Sequence, residues 1–194
     1  MTRALFIVDV QNDFTERGAL GVHGGDEVAA RISRYLEQHA DEYAVVVASR
    51  DWHHGDDDNG GHFSATPDFV DSWPVHCVGG TYGADYDEVF DTSRVTHHLK
   101  KGQGKPAYSL FEGVSDEGET AAQILDSHGI RDIDVVGIAT DYCVRASSLD
   151  ALAAGRHVRV LTDLIAGVHP ASSAAALTEI EAAGAELVTS EPSS

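Results

Sequence analysis

Short apolar runs rich in β-branched residues recur at 4–10, 43–49, 95–100, 133–139, 157–162 and 185–189. Each is of strand length and bounded by polar or glycine-containing segments. Between them apolar positions recur at helical spacing, most clearly at 25–39, 117–128, 143–154 and 171–183, and Gly129, Gly155 and Gly184 stand where three of these stretches stop. Strands alternating with helices predict an α/β protein, a three-layer αβα sandwich with a mostly parallel sheet of about six strands and helices on both faces. In such a sheet ligands collect beyond the carboxyl ends of the strands, where loops converge and helix N-termini offer partial positive charge. The polar residues at those ends are therefore the ones to follow. Asp9 ends the first run, Asp51 follows the second, Lys100 and Lys101 end the third, and Cys143 lies just past the fourth.

The alternation breaks once, over 52–92, a stretch without sustained periodicity that is rich in Gly, Asp, His and aromatic residues. A loop of this length in a compact domain is functional or disordered, and its tryptophans, Trp52 and Trp73, and paired histidines argue for order. We read one domain over 1–190, with a metal-binding loop insertion at about 51–92 and a frayed tail at 191–194.

Composition narrows the function classes. A chain of 194 residues with 42% hydrophobic content builds one substantial core. Its longest apolar stretches fall well below the roughly 20 residues that cross a bilayer, and Met1 is not followed by a basic and then apolar export signal, so the expected location is the cytoplasm. Thirteen basic against thirty-two acidic side chains give a formal charge of -19, which repels a nucleic-acid backbone and favours solubility. Cys77 and Cys143 are the two cysteines; without export they are thiols and not a structural disulfide.

Cys143 stands where an apolar strand turns into an alanine-rich helix, within Gly137-Ile138-Ala139-Thr140-Asp141-Tyr142-Cys143-Val144-Arg145. A helix N-terminus lowers a thiol's pKa and offers N–H groups to an oxyanion, so this position favours a thiolate nucleophile. Asp9 can take the thiol proton and later hand it to a leaving amine, and Lys101 can stabilise both charges. Cys77, inside Trp73-Pro74-Val75-His76-Cys77-Val78, has no predicted helix end beside it and reads as structural. Asp51 and His53 stand two residues apart, and the same loop adds His54, His62 and His76. Oxygen and nitrogen donors without thiolate suit Fe²⁺, Mn²⁺ or Zn²⁺. Asp56, Asp57 and Asp58 lack the spacing of a calcium loop and read as solvated turn residues.

Taken in order, Ile7-Val8-Asp9-Val10-Gln11-Asn12-Asp13-Phe14, Asp51-Trp52-His53, His62-Phe63-Ser64, Trp73 to Val78, Lys101-Gly102, Phe111-Glu112-Gly113-Val114, Gly137 to Val144 and Ala166-Gly167-Val168 run through nearly the whole chain. Together they resemble the nicotinamidase/pyrazinamidase branch of the isochorismatase-like hydrolases. The resemblance implies a catalytic triad of Asp9, Lys101 and Cys143, and one divalent metal ion per chain held by Asp51, His53, His62 and His76. It also implies a cis peptide before Ala139, an oxyanion hole made of the Ala139 and Cys143 N–H groups, and a substrate pocket walled by Phe14, Trp73 and Tyr108 with Ile138. The implied reaction is hydrolysis of nicotinamide to nicotinate and ammonia, with pyrazinamide as a second substrate. The implied partner is a small carboxamide, with neither nucleic acid nor membrane, on a monomer or homo-oligomer. The stretch from His53 to His62 is longer than is common in close relatives, which makes His54 an alternative ligand. Two rivals are an N-carbamoyl amine hydrolase of the same superfamily, whose metal loop would be incomplete, and a noncatalytic metal-binding protein, which has no evident need for the thiol.

Overall fold

The computed structural model describes residues 2–190, and the predicted tail at 191–194 lies outside them. Six strands, β1 (Arg3–Val8), β2 (Val45–Asp51), β3 (His97–Lys101), β4 (Asp132–Ile138), β5 (His157–Ala166) and β6 (Glu186–Val188), form one sheet in the order β3-β2-β1-β4-β5-β6. Every adjacent pair is parallel. Four α-helices, α1 (Gly25–His39), α2 (Ala121–Ser127), α3 (Arg145–Ala153) and α4 (Pro170–Ala182), supply four of the five connections, and the long irregular loop joins β2 to β3. Side chains alternate across each strand. Thus Leu5, Ile7, Val46, Ala48, Val136 and Ile138 meet Val28, Ala29, Ile32 and Leu36 of α1 on one face. Ala4, Phe6, Val8, Val47, Ile133 and Val135 meet Ile124 and Leu125 of α2, Ala151 of α3 and Ile180 of α4 on the other. The predicted three-layer sandwich is the observed one. Among the described residues no helix is long and apolar enough to cross a membrane.

Element boundaries depart from the sequence pattern in instructive places. α1 spans the predicted residues, whereas α2 begins at Ala121 because Thr120 and Gln123 form a capping box there and Gly118, at φ 86°, turns the chain ahead of it. β5 runs four residues past its predicted end, carried through a register shift against β4 between Val135 and Gly137. The predicted helix at 143 starts later: Thr140–Val144 is a π-helical turn and α3 begins at Arg145.

β1 lies between β2 and β4, so the chain reverses its direction of winding there and opens a crevice beyond the carboxyl ends of β1 and β4. Close approach of these two strands requires Gly137. At its φ of 116° a Cβ would lie 2.1 Å from the carbonyl oxygen of Val8. Gly137→Ala is therefore expected to cost roughly 2–4 kcal/mol of stability, from backbone strain plus overpacking. For a domain of this size the thermal midpoint should fall by about 5–15 °C. A midpoint within about 2 °C of wild type would show that β1 and β4 can separate freely.

Candidate active site

Asp9 is the first residue past β1 and takes a left-handed conformation, φ 49°, which ends the strand two residues earlier than the pattern predicts. Asp51 is the last residue of β2 and Lys101 the last of β3, while the π turn after β4 carries Cys143. All four side chains are buried at one rim of the sheet. The Lys101 ammonium lies 2.9 Å from Asp9 Oδ2, donates to Asp51 Oδ1 in a short hydrogen bond, and approaches Cys143 Sγ at 3.7 Å. Lys100, on the opposite face, pairs with Asp116 at 2.7 Å and lies over the Trp52 ring.

These groups set one another's protonation. Burial would raise Asp51, but the Lys101 charge above all, with His53 and His76 beside it, holds it well below the usual carboxylate range. Burial raises Asp9 despite the opposing Lys101 charge, and the negative charge on Asp51 adds to the rise. Both carboxylates share one ammonium, so Asp51 is the permanent anion and Asp9 the group poised to accept a proton. Lys101 would lose charge on burial alone, yet the two carboxylates keep it charged well above its ordinary range. Burial also pushes the Cys143 thiol far up; Lys101 opposes this, and Asp9 and Asp51 reinforce it. This corrects the expectation of a resting thiolate. The sulfur sits in the π turn ahead of α3, among two carboxylates, and its environment favours the neutral thiol.

The loop that the pattern left irregular is held together by backbone bridges. His53 N donates to Cys77 O and Gly79 N donates to His53 O, each at 2.9 Å, while Trp73 N donates to His62 O at 2.8 Å. These bridges gather His53, His62 and His76, buried, with one ring nitrogen from each within 4.8 Å of the others. His53 Nδ1–H donates to Gly102 O at 2.7 Å and His76 Nδ1–H to Pro74 O at 2.8 Å, which leaves each Nε2 with a free lone pair. Asp51 Oδ2 stands 3.6 Å from His53 Nε2 and 3.8 Å from His76 Nε2. His53 Nε2 and His62 Nδ1 are buried without a hydrogen-bond partner. Orphaned imidazole nitrogens around a permanent carboxylate are what a divalent cation would satisfy. Burial, with the neighbouring His53 and His76, lowers His62 to about 4, so its ring stays neutral and available as a donor. His54 does not join them: it is exposed and paired with Asp57 at 3.0 Å, because buried Asn59 ties the His54 backbone outward. The alternative ligand is thereby set aside.

Gly102 explains its place after Lys101. With φ 80°, it lies under the His53 ring, where a Cβ would come within 2.4 Å of Cε1.

A cavity of about 300 Å³ opens above these groups. Phe14, Trp73, Tyr108, His62, His76, Asp51, Ala139 and Cys143 line it, as the resemblance implied for the aromatic walls. Trp73 Nε1 donates to the Tyr108 hydroxyl at 3.1 Å, locking two walls together. Ile138 is the exception. Its side chain is fully buried in the core beneath α1, and only the cis peptide that follows it, Ile138–Ala139, reaches the cavity through Ala139. Residue alternation at the end of β4 turns the Ile138 side chain away from the crevice.

Several lining residues were not assigned to the site from the sequence, Tyr142, Phe69 and Val168 among them. Tyr142 meets Trp73 edge-on at 5.0 Å and stacks along Tyr108, Phe69 contacts Trp73 at 6.2 Å, and Val168 closes another side. Adjacency to Cys143 and an isolated Phe-Val pair in a polar loop were the available signals. Asp141 ties the Cys143 turn to the Val168 segment, accepting from Val168 N at 2.9 Å, His169 N at 3.2 Å and Ser172 Oγ at 2.6 Å.

The chain is similar over nearly its whole length to known proteins. The isochorismatase domain matches residues 3–192. The chain is 50% identical over 188 residues to the nicotinamidase/pyrazinamidase of Mycobacterium tuberculosis, covering 97% of this chain and 99% of that protein. Among solved structures, PnC1 from L. infantum in complex with nicotinate superposes with a TM-score of 0.84 at 34% identity, covering 97% of this chain and 93% of the other. Pyrazinamidase of Pyrococcus horikoshii in complex with zinc gives 0.82 at 36% identity, covering 97% and 99%.

Proposed function

Because this chain belongs to the isochorismatase family, we propose that its buried thiol, carboxylate and ammonium hydrolyse nicotinamide to nicotinate and ammonia, with pyrazinamide as a second substrate. One observation carries the reading: a single ammonium, Lys101, touches the thiol and both carboxylates at the floor of an aromatic-walled cavity beside three imidazoles. Asp9 takes the Cys143 proton as sulfur attacks the carboxamide carbon. The Ala139 and Cys143 amides receive the developing oxyanion. The C–N bond breaks with the proton returned from Asp9 to nitrogen, and ammonia leaves. Asp9 then deprotonates a water that hydrolyses the thioester, which regenerates the thiol. Lys101 keeps the site's charge balanced throughout. The resting thiol makes proton transfer part of attack, which protects the nucleophile between turnovers.

Asp51, His53, His62 and His76 are the residues that would hold a divalent cation, whose Lewis acidity would anchor the pyridine nitrogen directly or through a bound water. Phe14, Trp73 and Tyr108 would sandwich the ring, with few grounds to reject a second ring nitrogen. We take residues 1–190 as one domain, since all six strands share a sheet. We place the enzyme in the cytoplasm, a compartment in which its two free thiols stay reduced.

Ammonia release from nicotinamide, measured before chelation, after it and after repletion with Zn²⁺, Mn²⁺ or Fe²⁺, tests the assignment. Chelation is expected to lower activity at least about ten-fold, since disturbing only the outer partners of a metal's ligands already costs that much. It should also lower the thermal midpoint, because buried imidazoles would face one another unsatisfied. Silence toward nicotinamide and pyrazinamide in every metal state would turn the assignment toward an N-carbamoyl amine.

A further inference from the structure

The mechanism leaves one buried hydroxyl unused, and that hydroxyl touches its proton carrier. Ser49 lies within β2, fully buried, and its Oγ donates to Asp9 Oδ1 at 2.7 Å. The two oxygens of Asp9 are thereby distinguished. Oδ1 is held by Ser49, while Oδ2 faces Lys101 at 2.9 Å and has no well-aligned hydrogen bond of its own. Lys101 also reaches Cys143 Sγ at 3.7 Å, so Oδ2 and the sulfur border the same ammonium. A carboxylate attached through one rotatable bond can exchange its oxygens unless one of them is pinned. Asp9 has left the β1 ladder, so the adjoining strand supplies the pin.

Resting on the amidase reading above, we propose that Ser49 is a positioning residue: by holding Asp9 Oδ1 it makes Oδ2 the atom that carries the proton. In acylation, the thiol proton moves to Oδ2 as the S–C bond forms, then from Oδ2 to nitrogen as the C–N bond breaks. In deacylation, a water proton moves to Oδ2 as the new O–C bond forms, and returns from Oδ2 to sulfur as the S–C bond breaks. The carboxylate ends each half-cycle as it began. Losing the Ser49 donor would make Asp9 a stronger base, but a correspondingly weaker acid. The basicity gained in one transfer is lost in the next, whereas the geometry is lost in all four.

Ser49→Ala in the metal-loaded enzyme is expected to lower kcat for nicotinamide roughly ten- to a hundred-fold, the range for a hydrogen bond to a charged group. KM, metal content and the far-UV spectrum should stay at wild-type values. Ser49→Thr, which keeps the hydroxyl, should recover most of kcat; if the extra methyl lowers its thermal midpoint, Ser49→Cys, with a weaker donor, should fall between Ala and Ser. Three outcomes would overturn the proposal: Ser49→Ala turning over at the wild-type rate, a loss expressed in KM or metal content, or folded Thr and Cys variants no better than Ala. Wild-type ammonia release measured alongside tests the amidase reading separately. An active wild type with an unimpaired Ser49→Ala sinks only the positioning role, and a silent wild type sinks both.

Discussion

Cys143→Ala is expected to abolish ammonia release from nicotinamide, lowering kcat by about 10⁴-fold or more, as when a covalent nucleophile is removed. The reason is specific to this site. Lys101, Asp9 and Asp51 persist in the variant, so the charge cluster that organises the floor is not disturbed. Water positioned by Asp9 would have to attack the amide directly, without the thioester that divides the reaction into two easier steps. The variant should fold, bind metal and bind nicotinamide, since the sulfur is one wall atom of the cavity and the aromatic walls, Asp51 and the histidines are left unchanged. Calorimetric titration with nicotinamide, together with elemental analysis, would establish retained binding. Turnover above about 1% of wild type would contradict the nucleophile assignment.

Lys101→Met should be the most damaging substitution for stability and nearly as damaging for catalysis. Methionine matches the lysine's length but strands the fully buried Asp9 without its counter-ion and takes one positive neighbour from Asp51. Breaking a buried pair by removing one partner costs about 3–5 kcal/mol, so the thermal midpoint should drop by about 10 °C or more. Activity should fall by about 10²–10⁴-fold, because Asp9 loses the charge that keeps it ionised between proton transfers. The pH dependence identifies the cause. Without Lys101 nothing opposes the rise that burial imposes on Asp9, so its charged form opposes folding at neutral pH and the deficit shrinks as pH is lowered toward 5. The wild type behaves oppositely with respect to Asp51, whose depressed folded pKa contributes stability above the unfolded value that is lost as pH falls. Adding Asp9→Asn to Lys101→Met should recover part of the stability and none of the activity. A variant as stable as wild type across this range would refute the buried charge cluster.

Much of this was legible before the fold was seen. Alternating apolar runs and helical stretches depend on local periodicity, so the six strands, the bounds of α1 and the layer arrangement followed from the chain alone. Placing reactive groups at strand ends was also sound: the parallel sheet forces the carboxyl ends of β1, β2 and β3 to one rim, and Asp9, Asp51 and Lys101 sit there. The loop histidines were visible as a set, though His53 is brought beside His76 by backbone bonds to Cys77 and Gly79 that no spacing encodes.

What tertiary structure alone decided concerns direction and surroundings. Whether His54 points inward depends on a buried Asn59, and whether Ile138 faces the cavity depends on which side of β4 meets α1. Cys143 reads as a thiolate at a helix start, but desolvation and two carboxylates brought from distant strands reverse that expectation. Ser49 reads as one small residue in a strand until β2 is laid beside β1. Sequence encodes short-range preference and residue type, so it determined the elements and the chemical inventory of the rim. Electrostatic burial and side-chain partnership are properties of neighbours remote along the chain, and those came into being only when the sheet closed around them.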